Sequence, residues 1–103
     1  MATNASREGD LFVTGHGCAG TSVLAIPPQN KVIINGRRAA VLGTRTVTHL
    51  ITNPSPPPLC ISHSSSVKSG SSKVIIAGIP ATRNGDSVDA GYMFVGSPNV
   101  FIG

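Results

Sequence analysis

An internal repeat is the feature that most constrains how this 103-residue chain can fold. The sequence KVIING at residues 31–36 recurs as KVIIAG at residues 73–78, 42 positions later, and the residues that follow align without a gap. Each copy contains a β-branched run, a glycine, a segment of small residues and then Gly-Thr or Gly-Asp. Such a run, followed by a glycine-containing turn and a second extended segment, is typical of a β-hairpin.

The two ends of the chain supply the halves of a third copy. Residues 99–103 (NVFIG) match the beginning of the unit, and residues 4–10 (NASREGD) match its end, which reads PATRNGD at residues 80–86. Pairing of the two ends would close the three units into a ring, and closure removes exposed strand edges. The sequence therefore predicts an all-β ring of three hairpin-like units with pseudo-threefold symmetry and adjacent termini.

Composition excludes several other classes of protein. The chain has 12 Gly and 8 Pro and only 12% charged residues, which excludes a helical bundle. Its apolar runs are too short for a transmembrane helix, and the polar residues 1–10 contain no secretory signal, so we expect synthesis in the cytoplasm. The net charge is +4, but the basic residues are dispersed, so we expect no nucleic-acid partner.

The apolar runs at residues 32–34 and 74–76 are continuous instead of alternating with polar residues. A continuous run indicates burial on both faces or burial against another chain. Because a domain of this size has difficulty burying three such strands on both faces, we expect one face to be an intermolecular contact surface.

Three histidines and a cysteine form a candidate metal site. His16 and His49 follow the ends of their repeat units at nearly equal distances, and Cys60 and His63 form a Cys-x-x-His pair in the long loop between units. Equivalent positions in a three-unit ring converge on its axis, so we expect His16 and His49 to meet there. We expect Cys60 and His63, in the loop, to close over the same point. Three imidazoles and one thiolate would make a closed, structural zinc site, which would cross-link a tip that has little apolar material.

The two cysteines leave an alternative open. Cys18 lies two residues from His16 and could replace Cys60 as the ligand, although the spacing to His63 favours Cys60. The pair could also form one disulfide, but the lack of a secretory signal favours reduced thiols.

Of the two neighbouring low-complexity stretches, residues 53–59 (NPSPPPL) predict a rigid extended spacer. In the serine-rich residues 63–72, the repeat predicts a strand at Val67 instead of a flexible linker.

Residues 80–83 (PATR), 38–41 (RAAV) and 4–7 (NASR) resemble degenerate copies of the Pro-Ala-Ala-Arg signature of PAAR-repeat proteins. The resemblance covers nearly the whole chain, from about Arg7 to Gly103. It implies a small cone of three β-hairpin-like repeats that sits on the blunt end of a trimeric β-helical spike, with zinc held near the vertex by histidines and cysteine. The chain departs from the family pattern at Val41, at Thr44 and at Ala90, where many members have the cysteine ligand.

The function implied by the resemblance is that of a spike tip in a type VI secretion system or contractile phage tail. We expect one copy to cap and sharpen each spike trimer, to help pierce the target envelope in transient contact with its membrane, and to leave the cell with the device. We expect a single domain over residues 1–103 with no appended effector domain, so that any effector is a separate chain.

Two alternative functions remain. One is a small zinc-dependent hydrolase that uses His16, His49 and His63 and leaves the fourth metal position open. It needs a general base, and the only acidic residues, Glu8, Asp10, Asp86 and Asp89, offer no plausible acid–base pair, so we expect no enzyme. The other is a free-standing metal-binding adaptor, which differs from a spike tip only in its partner.

Overall fold

Short antiparallel hairpins make up this protein in a computed structural model that describes residues 2–52 and 60–103. The predicted proline-rich spacer at residues 53–59 lies outside the described residues. The strands are β1 (Thr3–Asn4), β2 (Leu11–Val13), β3 (Thr21–Val23), β4 (Ile33–Ile34), β5 (Arg37–Arg38), β6 (His49–Thr52), β7 (Cys60–His63), β8 (Ile75–Ile76), β9 (Ile79–Pro80), β10 (Ser87–Val88), β11 (Gly91–Met93) and β12 (Phe101–Ile102). The described residues include no helix long and apolar enough to cross a membrane.

Three equivalent hairpins confirm the repeat. Strands β4–β5 and β8–β9 each join through a two-residue turn. The φ angles are 53° and 79° at Asn35 and Gly36, and 51° and 82° at Ala77 and Gly78. Positive φ at both central residues matches the right-handed twist of the flanking strands, which explains the Asn-Gly pair. The third hairpin is formed by β12 and β1, where Ile102 lies opposite Thr3. The predicted closure of the ring by pairing of the chain ends is therefore confirmed.

A cyclic set of backbone hydrogen bonds joins the three signature segments around the pseudo-threefold axis. The Ser6 N–H donates to the Thr82 carbonyl (3.0 Å), the Thr82 N–H donates to the Ala40 carbonyl (3.0 Å), and the Ala40 N–H donates to the Ser6 carbonyl (2.9 Å). Each segment thus uses a donor toward one neighbour and an acceptor toward the other. The three units form a closed triangle and not a stack.

A second geometry, which recurs in all three units, closes the turn after each signature. In each unit a backbone N–H donates to a side-chain oxygen three residues later, over 2.8 to 3.0 Å; the pairs are Arg7–Asp10, Val41–Thr44 and Arg83–Asp86. In its unit the Thr44 hydroxyl accepts the hydrogen bond that a carboxylate accepts in the other two. Val41 replaces the arginine of the other units, so this turn has no guanidinium charge that a carboxylate would neutralise.

The core consists of two apolar clusters. The first joins the three hairpins and contains Ala5, Ile34, Ala39, Val41, Ile76, Ala81 and Ile102. The second contains Phe12, Leu24, Ala40, Val67, Val88 and Met93. The strand predicted at Val67 is shortened to an isolated antiparallel bridge between Val67 and Val88. The molecule is elongated, with extents of 44 × 26 × 21 Å.

The continuous apolar runs are buried on one face only. The last residue of each run is in the first cluster, while the residue before it is exposed: Ile33 by 53%, Ile75 by 55% and Phe101 by 57%. The alternation of a strand places neighbouring side chains on opposite faces. The structure therefore leaves three equivalent large apolar side chains in solvent, and we call Ile33, Ile75 and Phe101 the apolar triad.

Candidate metal centre

The three histidines predicted to meet do so at the end of the β6–β7 hairpin where β6 begins and β7 ends, which we call its inner end. His49 and His63 lie opposite each other in its register, and His16 lies in the turn that follows β2. The His63 ring centroid lies 5.1 Å from that of His16 and 5.3 Å from that of His49. Phe12, from the second core cluster, contacts the His49 ring edge-to-face at 6.0 Å. The histidines therefore lie directly beyond the second core cluster.

A carboxylate occupies the space between the three rings. One oxygen of Asp89 lies 2.8 Å from His16 Nε2 and 3.1 Å from His63 Nε2, and the other lies 2.9 Å from His49 Nε2. Asp89 belongs to the turn between β10 and β11 and has a φ of 56°, a left-handed conformation that aspartate tolerates better than most residues. Asp89 is not at a repeat-related position of the histidines. In the sequence, only its place next to Ala90, where the family pattern has the cysteine ligand, connects it with a metal site.

A close approach of two turns brings His16 to Asp89. The Ala90 N–H donates to the Thr14 carbonyl over 3.1 Å, and a Cβ atom on Gly15 would lie 2.3 Å from the Ala90 carbonyl oxygen. Glycine is therefore required at position 15 for this packing. The Thr14 hydroxyl also accepts from the His16 N–H over 3.1 Å, which fixes the start of the histidine turn.

The environment keeps the central carboxylate ionised. Burial raises the pKa of Asp89, but the hydrogen bonds with His16, His63 and His49 outweigh it and hold that pKa below its ordinary value of 3.8. The charge therefore lies among three imidazoles at neutral pH, and it is nearly shielded from solvent, since the side chain is only 5% exposed.

The cysteines occupy different positions from those expected. Cys18 and Cys60 form a disulfide, with their Cα atoms 6.1 Å apart, so the prediction of reduced thiols is wrong. The turn after β2 crosses the β6–β7 hairpin, where the Ala19 N–H donates to the Leu50 carbonyl over 3.0 Å, and this contact brings the two cysteines together. A disulfide sulfur has no thiolate to offer a metal, so Cys60 is not a ligand in this arrangement.

The donors that do converge fit a metal ion. Ligand atoms of His16, His63 and Asp89 lie within 4.8 Å of one another, and His49 reaches the same carboxylate. Imidazole nitrogens and carboxylate oxygens are ordinary zinc ligands. The His49 Nδ1 also lies 2.9 Å from the Val47 carbonyl, the kind of contact that orients a metal-binding histidine through its other ring nitrogen.

A closed all-β ring of three hairpins, with a histidine–carboxylate cluster beyond its core, defines a small repeat protein with a candidate structural metal centre. The family model described as PAAR motif matches residues 14–91, which is most of the chain, and the protein belongs to that family. This is a structural family of spike tips in contractile injection systems, and metal binding is general in it. No curated protein matches the sequence.

Proposed function

We propose that this protein caps and sharpens the trimeric β-helical spike of a type VI secretion system or contractile phage tail. It acts mechanically, without turnover, by concentrating the force of contraction on a small tip that helps pierce the target envelope. The observation that carries this proposal is the apolar triad, three exposed side chains at equivalent positions of a pseudo-threefold ring.

The triad suits a threefold partner in both chemistry and symmetry. Each member is more than half exposed although its strand neighbour is in the core, and burying the exposed part of each side chain contributes about 1 kcal/mol. A spike trimer presents three identical surfaces around its axis, so one copy of a monomer with three similar hairpins can match all three. A second copy would have no free site at that end. The stoichiometry that follows is one chain per spike trimer.

The metal centre would stiffen the opposite region of the molecule. His16, His49 and His63 would hold zinc there, together with a fourth group considered below, and the ion would tie the turn after β2 to the β6–β7 hairpin. When bound, zinc supplies cross-links between loops that have few apolar contacts. The protein's own residues hold and orient the donors, as the contact of His49 with Val47 illustrates.

The setting of this activity belongs to the same proposal. The protein would be made in the cytoplasm, assembled at the tip of the device and delivered out of the cell, touching the target membrane only transiently. We propose that residues 1–103 form one domain. No nucleic acid takes part.

The test is co-purification with trimeric spike proteins, followed by native mass spectrometry of the complex. We expect one copy of this chain per three spike subunits, and three copies would contradict the proposal. Ile33→Asp combined with Ile75→Asp should abolish the complex. Leu50→Asp, at a side chain that is 48% exposed on β6, is the matched control and should bind normally.

The alternatives predict different results. A free-standing metal-binding adaptor would fail to bind any spike trimer while keeping its metal. A zinc hydrolase would need an open metal position and a general base, whereas the one carboxylate at the histidines already contacts all three rings.

A further inference from the structure

We propose that Asp89 is the fourth metal ligand of this protein, so that its metal centre has three nitrogen donors and one oxygen donor and uses no cysteine. The inference rests on the proposed metal centre and deepens it by assigning its donor chemistry. It replaces the thiolate expected from the sequence by a carboxylate, which favours ions that accept oxygen ligands and leaves the cysteines out of the ligand set.

The position of the carboxylate is the first argument. Its two oxygens lie 2.8, 2.9 and 3.1 Å from the Nε2 atoms of the three histidines, which come from three separate turns or strands. Ligand atoms of a tetrahedral zinc site lie about 3.3 Å apart, given bond lengths near 2.0–2.1 Å. The three oxygen–nitrogen distances are therefore within a few tenths of an ångström of the spacing of metal ligands, and the ligand atoms of His16, His63 and Asp89 all lie within 4.8 Å of one another.

The orientation of His49 is the second argument. Its Nδ1 lies 2.9 Å from the Val47 carbonyl, a contact that fixes the ring through the nitrogen that faces away from Asp89. Its Nε2 then faces an oxygen of the Asp89 carboxylate at 2.9 Å, with the two side chains only 4% and 5% exposed. The ring is therefore held with its second nitrogen directed at the carboxylate.

The third argument is that the sulfur atoms are already used. Cys18 and Cys60 bond to each other at the outer part of the β6–β7 hairpin, where Cys18 Sγ also lies 3.5 Å from the Thr52 hydroxyl. Thr52 is opposite Cys60 in the hairpin register, three residues beyond His49. The disulfide ties together the same two segments that the histidines join. It can therefore support the site without entering it.

Titration of the metal-free, disulfide-bonded protein with cobalt(II) chloride tests the assignment, because cobalt(II) reports its ligands in its absorption spectrum. Mass spectrometry confirms beforehand that the disulfide is intact. We expect tightly bound cobalt with the visible bands of a tetrahedral site and no thiolate-to-cobalt charge-transfer band. Asp89→Asn keeps the shape of the side chain and its tolerance of a left-handed backbone, and it should weaken cobalt binding at least about tenfold.

Two further variants complete the experiment. Glu8→Gln removes a carboxylate that makes no ion pair among residues 2–52 and 60–103, and it should leave cobalt binding unchanged. Asp89→Cys should bind cobalt with a new thiolate charge-transfer band, which keeps the test decisive if Asp89→Asn does not fold.

The outcomes separate this inference from the proposed function. Unchanged affinity in Asp89→Asn, absence of the new band in Asp89→Cys, or a wild-type protein that binds cobalt only after reduction and then shows a thiolate band would each overturn the role of Asp89. A wild-type protein that binds no cobalt in either redox state would overturn the metal centre as well. Spike capture by the apolar triad is measured separately and stands or falls on its own.

Discussion

Ile102 lies directly opposite Thr3, so that the strands at the two ends of the chain form one hairpin. In the same register, Ile34 lies opposite Arg37 across the Asn35-Gly36 turn. Gly103 and Ala2 therefore occupy the positions that correspond to Asn35 and Gly36 in that turn. The third repeat is a hairpin whose turn is interrupted by the chain ends.

A circular permutant should therefore fold. We would join residue 103 directly to residue 2 after changing the pair to Asn-Gly, and open the chain next to Pro56. A two-residue Asn-Gly link supplies the positive φ angles that the other hairpins use, and closing so short a loop costs little entropy. We expect a melting temperature within a few degrees of the parent, measured by circular dichroism. A control that also deletes residue 2 shortens the turn by one residue and should melt lower; equal melting of the two permutants would contradict the shared register.

Removal of residues 99–103 should expose an edge of the ring. The deletion takes away β12, leaves β1 unpaired and removes Ile102 from the first core cluster. Unpaired edges promote intermolecular strand pairing. Size-exclusion chromatography should show aggregates, and a soluble, cooperatively folding deletion variant would contradict the closed ring.

The two acidic turns should differ in their contribution to stability. Asp10 accepts from Arg7 Nε and Nη2 at 3.0 and 2.9 Å, and the Arg7 side chain is only 7% exposed. Asp86 makes a single 3.4 Å ion pair with an arginine that is 28% exposed. Asp10→Ala leaves a buried guanidinium unpaired and should cost about 3–5 kcal/mol of the free energy of unfolding.

Asp86→Ala is the matched comparison for that measurement, because both residues also close a turn by the same backbone contact. We expect it to cost clearly less, since its arginine remains hydrated. Urea denaturation of both variants measures the difference. Equal losses would show that the turn contact, and not the buried ion pair, dominates.

Metal removal should lower thermal stability. A ligand that binds only the folded state adds about 2.7 kcal/mol when its free concentration is a hundred times its Kd. Treatment with a chelator should therefore lower the melting temperature, and zinc should restore it. His63→Ala should abolish the response to zinc, whereas Lys68→Ala, at an exposed position, should keep it. Metal-free protein of unchanged stability would contradict the site.

The disulfide should make a separate contribution to stability. It links residues 42 positions apart, and the chain-entropy model gives about 4 kcal/mol for a loop of that length. Cys18→Ser combined with Cys60→Ser should lower the free energy of unfolding by about this amount, as measured by urea denaturation. Reduction of the wild type should have the same effect. A reductant that changes nothing would show that the bond does not form in solution.

The sequence by itself determined the repeat architecture, because its signals are local. Each β-branched run alternates faces within its own strand, and each turn has its own residues, such as Asn35 and Gly36, to set the backbone. The copies at residues 31–36 and 73–78 then predict the missing third hairpin at the chain ends. The convergence of His16 and His49 follows from the same symmetry, whereas His63 is expected beside them from its place in the long loop between units.

Only the tertiary structure decided which other groups reach the histidines. Asp89 is separated from His16 by 73 positions and from His63 by 26. The neighbouring Ala90 indicated only that the cysteine ligand of the family is missing, and not that Asp89 lies at the site. The pairing of Cys18 with Cys60 likewise depends on how one turn crosses a hairpin of another unit. Such contacts depend on the path of loops that break the repeat, and no local pattern of residues fixes that path.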